Sequence, residues 1–177
     1  MWPEGKYSNF ENKIGKTPNV EEISLTIDKI NENDKNWHYN DTATQVIPTL
    51  VNKLTGMKIN KYLNIKLFEP LNIKYKWNKD DYNNDYGPNG LIISSDGLCK
   101  VGLLILNNGS WNNKILLKPE LIKKMTRQRI NQKAMRQCPM FANTNFNGYG
   151  YLWYTYKDLI IAEGFLGQCL IINKKKN

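Results

Sequence analysis

Trp37-His38-Tyr39-Asn40-Asp41 places an imidazole, a phenol and a carboxylate close together along the chain. The phenol serves as a base only where neighbouring cations lower its pKa from about 10. Taken alone, Tyr-x-Asp is common and describes a half-buried tyrosine before a helix-capping aspartate. His38 is the single histidine, which excludes a multi-histidine metal site and makes a Ser-His-Asp triad fragile. Half-burial beside Trp37 suits it better. Cys99, Cys138 and Cys169 are odd in number and widely separated, so they suggest neither a disulfide framework nor a zinc site. Cys99 falls in a helical apolar pattern and Cys169 in a strand-like one, and both are expected to be buried. No metal and no cofactor is expected.

The elements that must position these groups run helices first. Residues 1–36 are polar, with one helix from Val20 to Ile30 carried by Ile23, Ile27 and Ile30, then a loop. Asp41 is placed to cap a helix whose apolar stripe is Ala43, Val46, Ile47, Leu50, Val51 and Leu54. Gly56 stops that helix, and Pro48 should kink it. A second helix spans about Lys58 to Phe68 and ends before Pro70, with Asn72 in a turn. A loop over Asp80 to Gly90 leads to a third helix, capped by Ser94 or Ser95 and stopped by Asn107-Asn108-Gly109. Pro119 opens a fourth, running to about Ile130. After about Asn143 come short aromatic and β-branched runs at Tyr149–Tyr156, Leu159–Ala162 and Cys169–Ile172. These read as antiparallel strands, an α+β order.

The order Trp37-His38-Tyr39-Asn40-Asp41, amphipathic helix, Thr55-Gly56-Met57, Tyr62-Leu63 and Phe68-Glu69-Pro70-Leu71-Asn72-Ile73 resembles the penicillin-recognising serine hydrolases. That family comprises class C β-lactamases, D-alanyl-D-alanine peptidases, related esterases and aminohexanoate-oligomer hydrolases. The glycine-containing loop before Ser94-Ser95-Asp96-Gly97-Leu98 is also similar, and the resemblance spans roughly 37–172, strongest over 37–109. It implies a partial β-lactamase/penicillin-binding-type fold: the helical part followed by the first strands of an antiparallel sheet. The expected organisation is a single partial domain, with a lead-in at 1–36, a mainly helical part at 37–142 and strands at 143–177.

The resemblance implies that Tyr39 moves protons to and from a nucleophilic serine, and that Asp41 stands where many relatives have asparagine. Asp41 can accept hydrogen bonds from the family's lysine but cannot offer an amide N–H to a substrate. On the later strand Ala162 stands for the family's cation, Glu163 for its hydroxyl residue, and Gly164 matches its glycine. The backbone N–H of Phe165 would then help bind the oxyanion, with Gly164 shaping the turn. These departures point toward an ester or amide substrate rather than a β-lactam. The family's nucleophile lies in Ser-x-x-Lys, and none of Ser8, Ser24, Ser94, Ser95 and Ser110 has lysine three residues later. Thr26 and Thr55 do, before Lys29 and Lys58, but threonine is a poor stand-in. The 177 residues are therefore expected to be inactive alone unless an upstream segment supplies the serine.

A chain of 177 residues fits one domain, and 41% apolar content is enough for a core. The net charge of +9 raises nucleic-acid binding, but the 25 basic residues are dispersed and joined by abundant asparagine and isoleucine. Nucleic acid is not an expected partner, nor is a membrane, since no apolar run is long enough to span one. A small-molecule ester or amide is the expected substrate, and an exposed sheet edge invites self-association. The competing functions are a non-catalytic binding scaffold of the same family and an unrelated basic α+β nucleic-acid module.

Overall fold

A computed structural model of the chain describes residues 19–25, 37–137, 141–164 and 166–175. They fall into two units, one holding 19–25 and 39–94, the other 37–38 and the described residues from 95 onward.

In the first unit, α1 (Val20–Leu25) precedes α2 (Asp41–Thr55); Ile27 and Ile30 lie outside the described residues. Asn40, not Asp41, caps α2: its side-chain oxygen accepts the Ala43 N–H at 3.1 Å from an extended backbone. The cap position needs non-helical φ and ψ, which Asn40 has. Asp41 is instead the first helical residue, where its charge suits the positive helix end. Helix α2 continues through Pro48 to Gly56, whose φ of 68° lets its N–H bond to the Asn52 carbonyl at 2.8 Å. Thr44, which loses its helical partner to the proline, has Gly87 against its carbonyl; an added Cβ there would sit 2.6 Å away.

The next helix, α3 (Ile59–Leu63), widens into a π turn over Asn64–Phe68 before Pro70. Asn72 adopts φ 49°, the left-handed turn expected of it. Strands β1 (Tyr75–Trp77) and β2 (Leu91–Ile93) pair antiparallel, Tyr75 opposite Ile93. Their three residues each are too few to show alternation, so the sequence pattern missed them.

The loop between β1 and β2 is fastened by buried polar groups. Asp80 accepts N–H groups of Val20, Tyr82 and Asn84 at 2.9, 3.0 and 2.7 Å. Asp85 accepts the Asn60 N–H at 3.0 Å. Gln45 donates to the Asp85 carbonyl at 3.1 Å and accepts the Gly87 N–H at 2.7 Å. These hydrogen bonds offset the burial of Asp80 and Gln45, while Asp85 Oδ1 is buried without a hydrogen bond, 3.9 Å from the Lys79 ammonium.

The second unit opens with α4 (Ser95–Leu106). Asn108 and Gly109 end it with φ 51° and 85°. Strands β3 (Ser110–Trp111) and β4 (Lys114–Ile115) form a hairpin around Asn112 and Asn113, both at positive φ, as a two-residue turn requires. Helix α5 (Pro119–Met125) stops short of the expected Ile130, which instead lies in β5 (Ile130–Asn131) and pairs with Tyr149. After α6 (Gln132–Met135) come β6 (Gly148–Tyr149), β7 (Tyr154–Tyr156), β8 (Leu159–Glu163) and β9 (Cys169–Asn173). The five strands form one antiparallel sheet in the order β5-β6-β7-β8-β9. Ile105, Ile122, Trp153, Ile160 and Ile172 make its core under α4 and α5. Trp37, Phe141, Tyr149 and Tyr154 form a ring cluster with centroids 5.0–5.7 Å apart.

Cys99 and Cys169 are exposed, not buried; Cys138 lies outside the described residues. The arc of α4 that turns inward holds Gly97, Val101, Gly102, Leu104 and Ile105, and Cys99 falls outside it. Cys169 sits on the outermost strand, opposite Glu163. Partial burial and then the Glu163 carboxylate push its thiol pKa up. Both thiols should therefore react with Ellman's reagent in the folded chain, and Glu163→Gln should speed the reaction of Cys169. Protection of both until the chain unfolds would contradict these positions.

Candidate functional site

Tyr39 and Asp41 are brought together at the start of α2. The half-buried phenol is hydrogen-bonded to the Asp41 carboxylate. Burial, then the charge of Asp41 and that hydrogen bond, raise its pKa to about 12. Each cause disfavours the phenolate. At neutral pH this pair is a protonated phenol hydrogen-bonded to a carboxylate; ionising the phenol so that it could act as a base would require a cation to reverse the balance. Thr44 Oγ1 closes the same turn by donating to the Asp41 carbonyl at 2.6 Å.

Gly164 belongs to the second unit, at the end of β8, and Phe165 lies outside the described residues. The Gly164 N–H donates to the Gln168 carbonyl at 2.9 Å, and the Gly167 N–H donates back to the Gly164 carbonyl at 3.0 Å. Gly167 has φ 84°, and an added Cβ on Gly164 would lie 2.6 Å from the Gln168 side chain. The glycines thus make the tight turn expected between two strands. Gln168 was missed from sequence: its Oε1 accepts the Leu166 N–H at 3.1 Å and its chain fills the place beside Gly164. A glutamine two residues past a turn carries no spacing signal.

Ala162 is half-buried opposite Leu170, and Glu163 is exposed. Neither supplies positive charge. Among the described residues no group of three or more His, Cys, Asp or Glu is placed to hold a metal ion, and no helix is long and apolar enough to cross a membrane.

No family model and no curated protein matches the sequence. Solved structures do. A Bacillus anthracis protein described as "Putative 6-aminohexanoate-dimer hydrolase" superposes with TM-score 0.72 at 16% identity, over 88% of this chain and 40% of its own. A Bacteroides dorei protein described as "putative beta-lactamase" gives TM-score 0.65 at 17% identity, over 98% of this chain and 55% of its own. The fold is of the β-lactamase type. The 177 residues span about half the length of such structures or less, so the β-lactamase-type fold is represented in part. The expected partial α+β architecture is borne out in this sense: helices and two short strand pairs precede an antiparallel sheet.

Proposed function

We propose that the chain is a portion of a penicillin-recognising serine hydrolase that cleaves an ester or a linear amide through an acyl-serine. The observation that carries this is the Tyr39–Asp41 pair at the head of α2, which the sequence resemblance reads as the family's Tyr-x-Asn motif, in a chain of β-lactamase-type fold. In this proposal the serine and its lysine come from polypeptide outside these 177 residues. The lysine ammonium would meet the Asp41 carboxylate and lower the Tyr39 pKa, so that Tyr39 loses its proton to solvent and, as phenolate, takes the serine proton and then passes it to the leaving group. The N–H of Phe165 would face the oxyanion. Ala162 and Glu163 leave the strand without a cation, which favours a neutral ester or a linear amide, of the kind named for the Bacillus anthracis neighbour, over a β-lactam.

Two tests apply. The coding sequence ahead of Met1 is expected to encode Ser-x-x-Lys in some frame. A protein containing that segment together with this chain is expected to hydrolyse p-nitrophenyl esters and to leave nitrocefin intact. Rapid nitrocefin turnover would overturn the substrate assignment, and hydrolysis that survives Tyr39→Phe unchanged would overturn the role of Tyr39.

A further inference from the structure

Helix α2 is folded inside out. Its inward face carries Gln45 and Thr49, only 1% and 5% exposed, with Pro48. Its outward face carries Ile47, Leu50 and Leu54, which are 43%, 51% and 76% exposed, along with exposed Ala43. At 100° per residue Ala43, Ile47, Leu50 and Leu54 fall within one narrow stripe, diametrically opposite Gln45. Met57 extends their alternating spacing of four and three past the helix end, and it too is exposed. The sequence pattern picks out this stripe as the face to bury, yet the described fold buries the polar face. A contiguous apolar row on an otherwise satisfied helix marks a surface made for another element.

We infer that this stripe is the docking seam for an amphipathic helix with acidic flanks, belonging to the remainder of the β-lactamase-type fold. Spacing of four and three is that of a helix–helix seam, where apolar knobs from a partner helix interleave. The partner's origin follows from length: the chain spans 40% and 55% of its structural neighbours, so such a fold contains more polypeptide than these residues provide. Its charge follows from the flanks. After Asp41 in the first turn, the only charged residue of α2 is Lys53, exposed one turn beyond Leu50. A second copy would carry the same net charge of +9 and the same Lys53 beside its stripe, which disfavours it as the occupant. This inference rests on the proposal that the chain is part of a longer hydrolase.

The probe is a synthetic helical peptide with leucine at the seam positions and glutamate on both flanks, kept monomeric at neutral pH by its own repulsion. Its lysine-flanked counterpart is the control. The full chain should bind the glutamate peptide at least tenfold more tightly than the lysine peptide. Leu50→Asn with Leu54→Asn should weaken that binding at least tenfold while leaving thermal unfolding little changed, since both side chains are exposed. No binding of the glutamate peptide, equal binding by the double variant, or a wild-type dimer that the double variant dissolves would each overturn the inference. The hydrolase proposal fails separately: a serine of this chain that reacts with an acylating probe would sink it and leave the peptide result standing.

Discussion

Gly109→Ala is expected to cost about 2–5 kcal/mol of folding stability, the sum of a left-handed backbone penalty and a backbone clash. Gly109 holds φ 85°, and a Cβ built there would lie 1.9 Å from the Leu117 carbonyl oxygen. The carbonyl of Gly109 accepts the N–H groups of Leu116 and Leu117 at 2.9 and 3.1 Å, so neither strand of the turn can step aside without losing bonds. Gly56→Ala supplies the comparison. Gly56 has φ 68° but nothing within 4 Å of the added carbon, so only the conformational penalty of about 1–2 kcal/mol applies. Urea unfolding of the two variants separates the terms. Equal losses would mean that the close approach of Leu117 to Gly109 is absent in solution.

The second large effect is on the Tyr39 phenol. Its pKa of about 12 has three causes, of which burial is the largest and two come from Asp41. Asp41→Asn removes the charge, so Tyr39 should ionise at lower pH than in the wild type while burial still holds it above the usual value. Ultraviolet titration of the phenolate, with Tyr39→Phe subtracted, reads this directly. A folded pKa above the unfolded value favours the protonated native state. The stability that Tyr39 contributes is therefore present below about pH 10 and lost as pH rises through about 12. An unchanged titration in Asp41→Asn would show that the hydrogen-bonded pair does not form.

What could be read from sequence was what neighbouring residues decide. Gly56, Asn72 and Gly109 announce themselves because left-handed backbone is costly for most other residues, and β8 and β9 because β-branched runs suit strands. Tyr39 and Asp41 were singled out through the Tyr-x-Asn resemblance, but their hydrogen bond to each other was not read from sequence. Distant pairings were not legible. Gln45 finds its partners in Asp85 and Gly87, about 40 residues along the chain, so nothing in the α2 pattern predicts that its polar face turns inward. The cap passed from Asp41 to Asn40 because backbone angles, not side-chain type, choose between two adjacent candidates. Cys99 and Cys169 were misplaced because an apolar neighbourhood in sequence does not say on which side of an arc or sheet edge a small residue falls.

The central proposal, that Tyr39 assists a serine lying outside these 177 residues, is most directly tested by treating the folded chain with a fluorophosphonate probe and weighing it intact. Predicted is an unmodified mass at probe concentrations that fully label a competent serine hydrolase. A stoichiometric adduct on any of Ser8, Ser24, Ser94, Ser95 or Ser110 would contradict it.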